Sequence, residues 1–212
     1  MTWGDKAGGG LATEPIGNHD PAQGLTWENL EQKLTALYSM KHNALLLADR
    51  GMTPQMKAHR LRQDVALGFA GRPKAHQFVG PIRFFRGIGA KDPLKPMANN
   101  AYGDWWFEED LVRRLECQVG RVFFTDEERR RSFSDTIRAG LAIAYEWENP
   151  MSEYWVLELP AGARLTGLTG TAAPQPYAGR PHPKYDWTRT LPGGLPQVYF
   201  PVKNPLWVKR YW

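Results

Sequence analysis

The chain has 212 residues, 42% of them hydrophobic, and its nine Trp, eight Tyr and nine Phe can fill the core of one substantial domain, which excludes global disorder. The formal charge of +5 is modest, and the lone cysteine, Cys117, excludes an intrachain disulfide and any CxxC-type metal spacing. No stretch reads as a membrane span or as the apolar core of a cleavable signal, so the chain reads as soluble, and export would need a route without such a signal.

Residues 1–24, with Gly8-Gly9-Gly10, Pro15 and Pro21, lack periodicity and read as a flexible leader. Residues 25–75 read as an N-terminal helical hairpin. Thr26 is a candidate cap for the first helix, and Leu30, Leu34, Leu37, Tyr38 and Leu45 recur at helical spacing, which predicts a helix to about Leu47. Thr53-Pro54 opens the second helix, a cap followed by proline at the first helical position. Met56, Leu61, Val65, Ala66 and Phe69 supply its apolar face, and Gly71 with Pro73 ends it. Across the hairpin Arg50, Lys57, Arg60, Arg62 and Arg72 face only Asp49 and Asp64. That excess suits the solvated face of a helix, and it also suits a non-enzymatic module that binds nucleic acid or an acidic protein.

Residues 76–212 form the second region. Phe78 to Gly87 is strand-like, and a loop rich in Pro, Asn and Lys follows from Lys91 to Asn100. Tyr102-Gly103-Asp104-Trp105-Trp106-Phe107 leads into a helix from Glu108 to about Cys117. Thr125 with Glu128 makes a capping box for a helix reaching about Trp147, before Pro150. Tyr154–Leu159 and Arg164–Leu168 read as strands joined by a turn at Pro160-Ala161-Gly162. Thr171 to Thr190 is too rich in proline for a helix and reads as a long loop of the kind that forms lids or binding loops. The sharp turn Pro192-Gly193-Gly194 then delivers Gln197 to the mouth of a short β run closed by Pro201.

The familiar catalytic signatures are missing: there is no G-x-S-x-G, H-E-x-x-H, P-loop or dinucleotide-binding glycine motif. His42, His59 and His76 have no carboxylate or cysteine company that would make them metal ligands, and Cys117 reads as a packing residue. Three pieces do stand in a suggestive order. Arg86-Gly87 ends a first strand, Gly103-Asp104-Trp105-Trp106 precedes a helix, and Gly193-Gly194 delivers Gln197 onto a late strand.

That order resembles the ADP-ribosyltransferase superfamily, over roughly residues 80–212. Thr169-Gly170-Thr171-Ala172-Ala173-Pro174-Gln175, followed by Pro192-Gly193-Gly194 and Gln197, most resembles the NAD glycohydrolase toxins of the tuberculosis necrotizing toxin type. The resemblance implies an α+β fold with a split β-sheet core behind the helical hairpin. It also implies NAD as substrate, with no further cofactor and no metal. By the same resemblance, Arg86 would bind the NAD diphosphate or ribose through its planar fork of donors. Gly87 would let backbone groups hold the nicotinamide amide, and Trp105 or Trp106, with Tyr102, would stack on the cationic nicotinamide ring.

Gln197 stands where the superfamily usually has glutamate. An amide carries no full charge and is no base, yet it can hold ribose hydroxyls and orient the leaving group. This departure favours water as acceptor over a protein or nucleic acid, the alternative being transfer of ADP-ribose to such a macromolecule. Glu146-Trp147-Glu148 is similar to the paired-glutamate motif of the superfamily but lies at a helix end before the wrong strands. The implied biology is a secreted bacterial toxin or effector acting in a target cytoplasm, with a cognate inhibitor or immunity protein as partner.

Overall fold

The computed structural model describes residues 20, 22–40, 51–88, 104–120, 126–143, 151, 153–176 and 190–211. These residues form an α+β fold of four α-helices and an antiparallel sheet of seven strands. The helices are α1 (Leu30–Tyr38), α2 (Pro54–Gly68), α3 (Glu109–Gly120) and α4 (Asp126–Gly140). The strands are β1 (Lys74–Val79), β2 (Ile82–Ile88), β3 (Trp105–Glu108), β4 (Glu153–Leu159), β5 (Arg164–Thr171), β6 (Gln175–Pro176), β7 (Thr190–Leu191), β8 (Pro196–Tyr199) and β9 (Val208–Arg210). The large sheet runs β1-β5-β8-β3-β2-β4-β9, and β6 pairs with β7 apart from it.

Side-chain alternation divides the core into three clusters. Phe78, Phe84, Trp106, Leu157, Leu165, Val198 and Phe200 point to one face of the sheet and pack on each other. Phe78 on β1 and Phe84 on β2 meet edge to face, 4.8 Å between ring centroids, although three strands lie between theirs in the sheet. The sheet therefore folds over on itself around this cluster. On the outer face, α1 and α2 cover Leu168 and Tyr199, while α3 and α4 cover Phe85, Phe107, Tyr154 and Val156. The helical hairpin thus shares a core with the sheet.

Several expectations from the sequence need correction. Phe78 to Gly87 is two strands, because Gly80 turns the chain; a Cβ there would run into the Pro160 carbonyl, and the Gly80 N–H bonds to Ala163. The first helix starts at Leu30, a turn after Thr26, since the Thr26 hydroxyl and the Asn29 amide exchange bonds with each other's backbone N–H. The capping-box helix stops at Gly140, not at Trp147. Ala142 turns left-handed (φ 50), and the N–H groups of Ala142 and Ile143 bond back to Ala139 and Arg138, a closure typical of helix ends. Part of the segment read as leader is held on the sheet. Asp20 and Ala22 are buried, and the Asp20 carboxylate accepts bonds from Ala22 N, Gln77 Nε2, Thr166 N and Thr166 Oγ1, which fastens this segment to β1 and β5. The second helix starts as expected, with the Thr53 hydroxyl capping the N–H of Met56, but ends at Gly68 and not at Gly71, since Phe69 is extended.

Candidate functional site

Strand β8 is short because Gly193-Gly194 turns sharply before it and Pro201 follows it. Both glycines have positive φ, 68° and 95°. A Cβ on Gly193 would strike the Ala172 carbonyl, whereas one on Gly194 would meet nothing. The turn is docked on two elements: Gly193 N bonds to Ala139 O and Leu195 N to Gly140 O at the end of α4, and Gly194 N bonds to Ala172 O after β5. Neither glycine N–H is free to hold a ligand in this arrangement.

The turn places Gln197 opposite Gly170 in the centre of the sheet, with 7% of its surface exposed. Its Nε2 donates to Gly68 O at 2.7 Å, at the C-terminal end of α2. Gly68 is constrained in turn, since a Cβ there would collide with the Trp105 indole. The Trp105 ring also packs on Phe69 and Tyr199, each 5.2 Å away between centroids.

On β2, pairing with β3 covers only Phe84↔Glu108 and Phe85↔Phe107. At the next residue, the Arg86 guanidinium donates from Nη1 to the carbonyl of Trp105 at 2.9 Å, so side chain replaces ladder where the strands part. Burial pushes the Arg86 pKa down to about 10, against the pull of the nearby Asp104 carboxylate, and the group stays cationic at neutral pH. Asp104 itself accepts from Lys203 Nζ at 2.9 Å. Gly87 is buried, and a Cβ there would press on Met151.

The fold brings the expected residues to neighbouring strands but does not aim them at one point. Arg86 shares the parity of Phe84 and leaves the inner face, while Gln197 shares the parity of Tyr199 and leaves the outer face under α2. Of the two tryptophans, Trp106 is 1% exposed among Phe78, Phe84 and Phe200 and is a core residue. Trp105 is half-buried and keeps surface to offer. Tyr102, Glu146 to Glu148 and the segment 177–189 lie outside the described residues.

The site includes groups the sequence reading missed, Gly68 above all. Its signal was a glycine at the end of an apolar helical pattern, but nothing local shows which strand such a glycine will touch. Tyr199 is a second. Its hydroxyl is buried with no hydrogen-bond partner among the described residues, and burial together with the charge of Asp104 pushes its pKa well up, so it stays a neutral phenol beside Trp105.

Elsewhere, a groove of about 540 Å³ lies between β2, β4 and a 3-10 turn at Pro205–Trp207, lined by Ile82, Arg83, Glu109, Glu158 and Trp207 among others, and contains none of these site residues. Of the hairpin's cations, Arg62 lies 3.6 Å from Glu31 and over the Trp27 ring, Lys57 lies over Tyr38, and Arg72, beyond the end of α2, pairs with Glu28. Among the described residues, no group of His, Cys, Asp and Glu could hold a metal ion, and no helix is long and apolar enough to cross a membrane. No protein-family model, curated protein or solved structure matches the chain.

Proposed function

We propose that this chain is an NAD-cleaving domain of the ADP-ribosyltransferase type, acting mainly as an NAD glycohydrolase. The observation that carries the reading is the position of Trp105. Its indole stands against Gly68, whose carbonyl holds Gln197, and its own carbonyl holds Arg86. One residue thereby ties together the arginine, the aromatic face and the amide that the resemblance singles out. Because Arg86 and Gln197 leave opposite faces, NAD would lie around the start of β3, by Asp104 and Trp105, and not across one face of the sheet.

In this reading the C1′–N bond breaks with its electron pair leaving on nicotinamide. Water bonds to C1′ and loses a proton, giving ADP-ribose. Arg86 contributes a cation for the diphosphate, Trp105 a face for the positively charged pyridinium ring, and Gln197 a neutral dipole for the ribose hydroxyls. An enzyme that drains NAD endangers its maker, so a toxin or effector role with an inhibitor partner accompanies the proposal. The engagement of Arg62 and Lys57 on α2 speaks against a basic docking module.

The test is nicotinamide release from NAD by purified protein, compared with Gln197→Ala and Arg86→Ala variants whose thermal melts show them folded. Each variant is expected to lose about 100-fold or more, the usual effect of removing one group that stabilises developing charge. Undiminished release from both variants removes the proposal. Labelled NAD separates the acceptors: label that becomes bound to protein or nucleic acid identifies transfer in place of hydrolysis.

A further inference from the structure

The carbonyls at the end of α2 raise a question that the NAD reading leaves open, namely why an amide stands at position 197. The last carbonyls of a helix have no partner within it and carry the negative end of its dipole. Here they are met by side chains and backbone of the sheet. Leu67 O accepts from Gln175 Nε2 at 2.8 Å, and Gly68 O accepts from both Ala173 N at 2.9 Å and Gln197 Nε2 at 2.7 Å. A carbonyl only accepts, so the NH₂ end of the Gln197 amide must face Gly68, which fixes the other end. Gly68 cannot give way freely, because the Trp105 ring occupies the space beside its Cα.

We infer that the C-terminus of α2 is a positioning element of the NAD site, with Gly68 O clamping the Gln197 amide so that its Oε1 is the atom offered to substrate. The inference rests on the NAD reading. It assigns the N-terminal hairpin a part in the site, and it makes position 197 hostile to the glutamate that most of the superfamily carries. A carboxylate there would set an acceptor against an acceptor at the negative end of a helix. The clamp therefore selects a neutral dipole, and with it chemistry that does not depend on a base at this position.

The experiment is Gln197→Glu, followed by thermal stability and nicotinamide release between pH 4 and pH 8. An ionised carboxyl is repelled by Gly68 O, so its folded pKa lies above the unfolded value of about 4.3. The sign follows: the variant's stability deficit is full above the folded pKa and disappears as pH falls towards the unfolded value, where the protonated carboxyl can donate as the amide does. The expected result is a melting temperature several degrees below the parent at pH 8, a gap that closes on acidification, and turnover relative to the parent that recovers at least ten-fold over the same range. A pH-independent or absent stability gap overturns the clamp. A gap that closes without any recovery of turnover shows a helix cap with no role in the site, and also overturns the inference. Absence of nicotinamide release from the unaltered protein removes the NAD reading and this inference with it, while the stability arm reports separately on the contact.

Discussion

Replacing Asp20 by asparagine tests how firmly the segment before α1 is bound to the sheet. The carboxylate is 4% exposed and accepts four hydrogen bonds, two at Oδ1 from the N–H groups of Ala22 and Thr166 and two at Oδ2 from Gln77 and the Thr166 hydroxyl. Asparagine keeps the shape but turns an NH₂ towards one of these pairs, so two bonds to a charged acceptor disappear. At about 1.5–3 kcal/mol for each such bond, and allowing for partial relaxation, the loss should be about 3 kcal/mol. For a domain of this size that corresponds to a melting temperature lower by about 6–12 °C. Burial alone would raise the Asp20 pKa, but the four donors outweigh it and the carboxyl lies below its ordinary value. Its contribution is therefore present in full above the unfolded pKa of about 3.9 and fades as pH drops through the lower folded value. Thermal melts of both proteins from pH 7 to pH 2.5 should show a gap that is constant to about pH 4 and then narrows. A variant within about 0.5 kcal/mol of the parent at pH 7, the usual range for a neutral surface change, would refute the claim that this segment is fastened.

Two further predictions separate neighbouring residues of like type. Gly193→Ala should cost more than 2 kcal/mol in urea denaturation, because strain at positive φ adds to a collision with the Ala172 carbonyl, while Gly194→Ala should cost only about 1 kcal/mol of strain. Equal losses would show that contact with the β5 end is unimportant. Trp106→Ala should cost about 3–5 kcal/mol by leaving a hole in the inner core, whereas Trp105→Ala should cost less and remove nicotinamide release from a protein that remains folded. Full NAD turnover by a folded Trp105→Ala variant would take that residue out of the site.

The strands around Tyr154 and Arg164, the second helix with its Thr53-Pro54 start and the turn that presents Gln197 were legible in the order of residues alone. Each of these depends on local preferences: apolar spacing, a capping hydroxyl, and glycine where φ must be positive. What those elements touch came from packing over long sequence distances. Nothing in the spacing around Asp20 announces that its carboxylate will meet Thr166 and Gln77, since the contact with Thr166 closes a gap of 146 residues. The two tryptophans look alike in sequence, and it is the folding over of the sheet that buries Trp106 while Trp105, on the other face, stays half-buried. Gly68 reads locally as the end of a helix. The packing of α2 on β3 and β8 makes its carbonyl the partner of Gln197, because a helix end buried against a sheet must find donors there, and at that point of the sheet the amide of Gln197 supplies them.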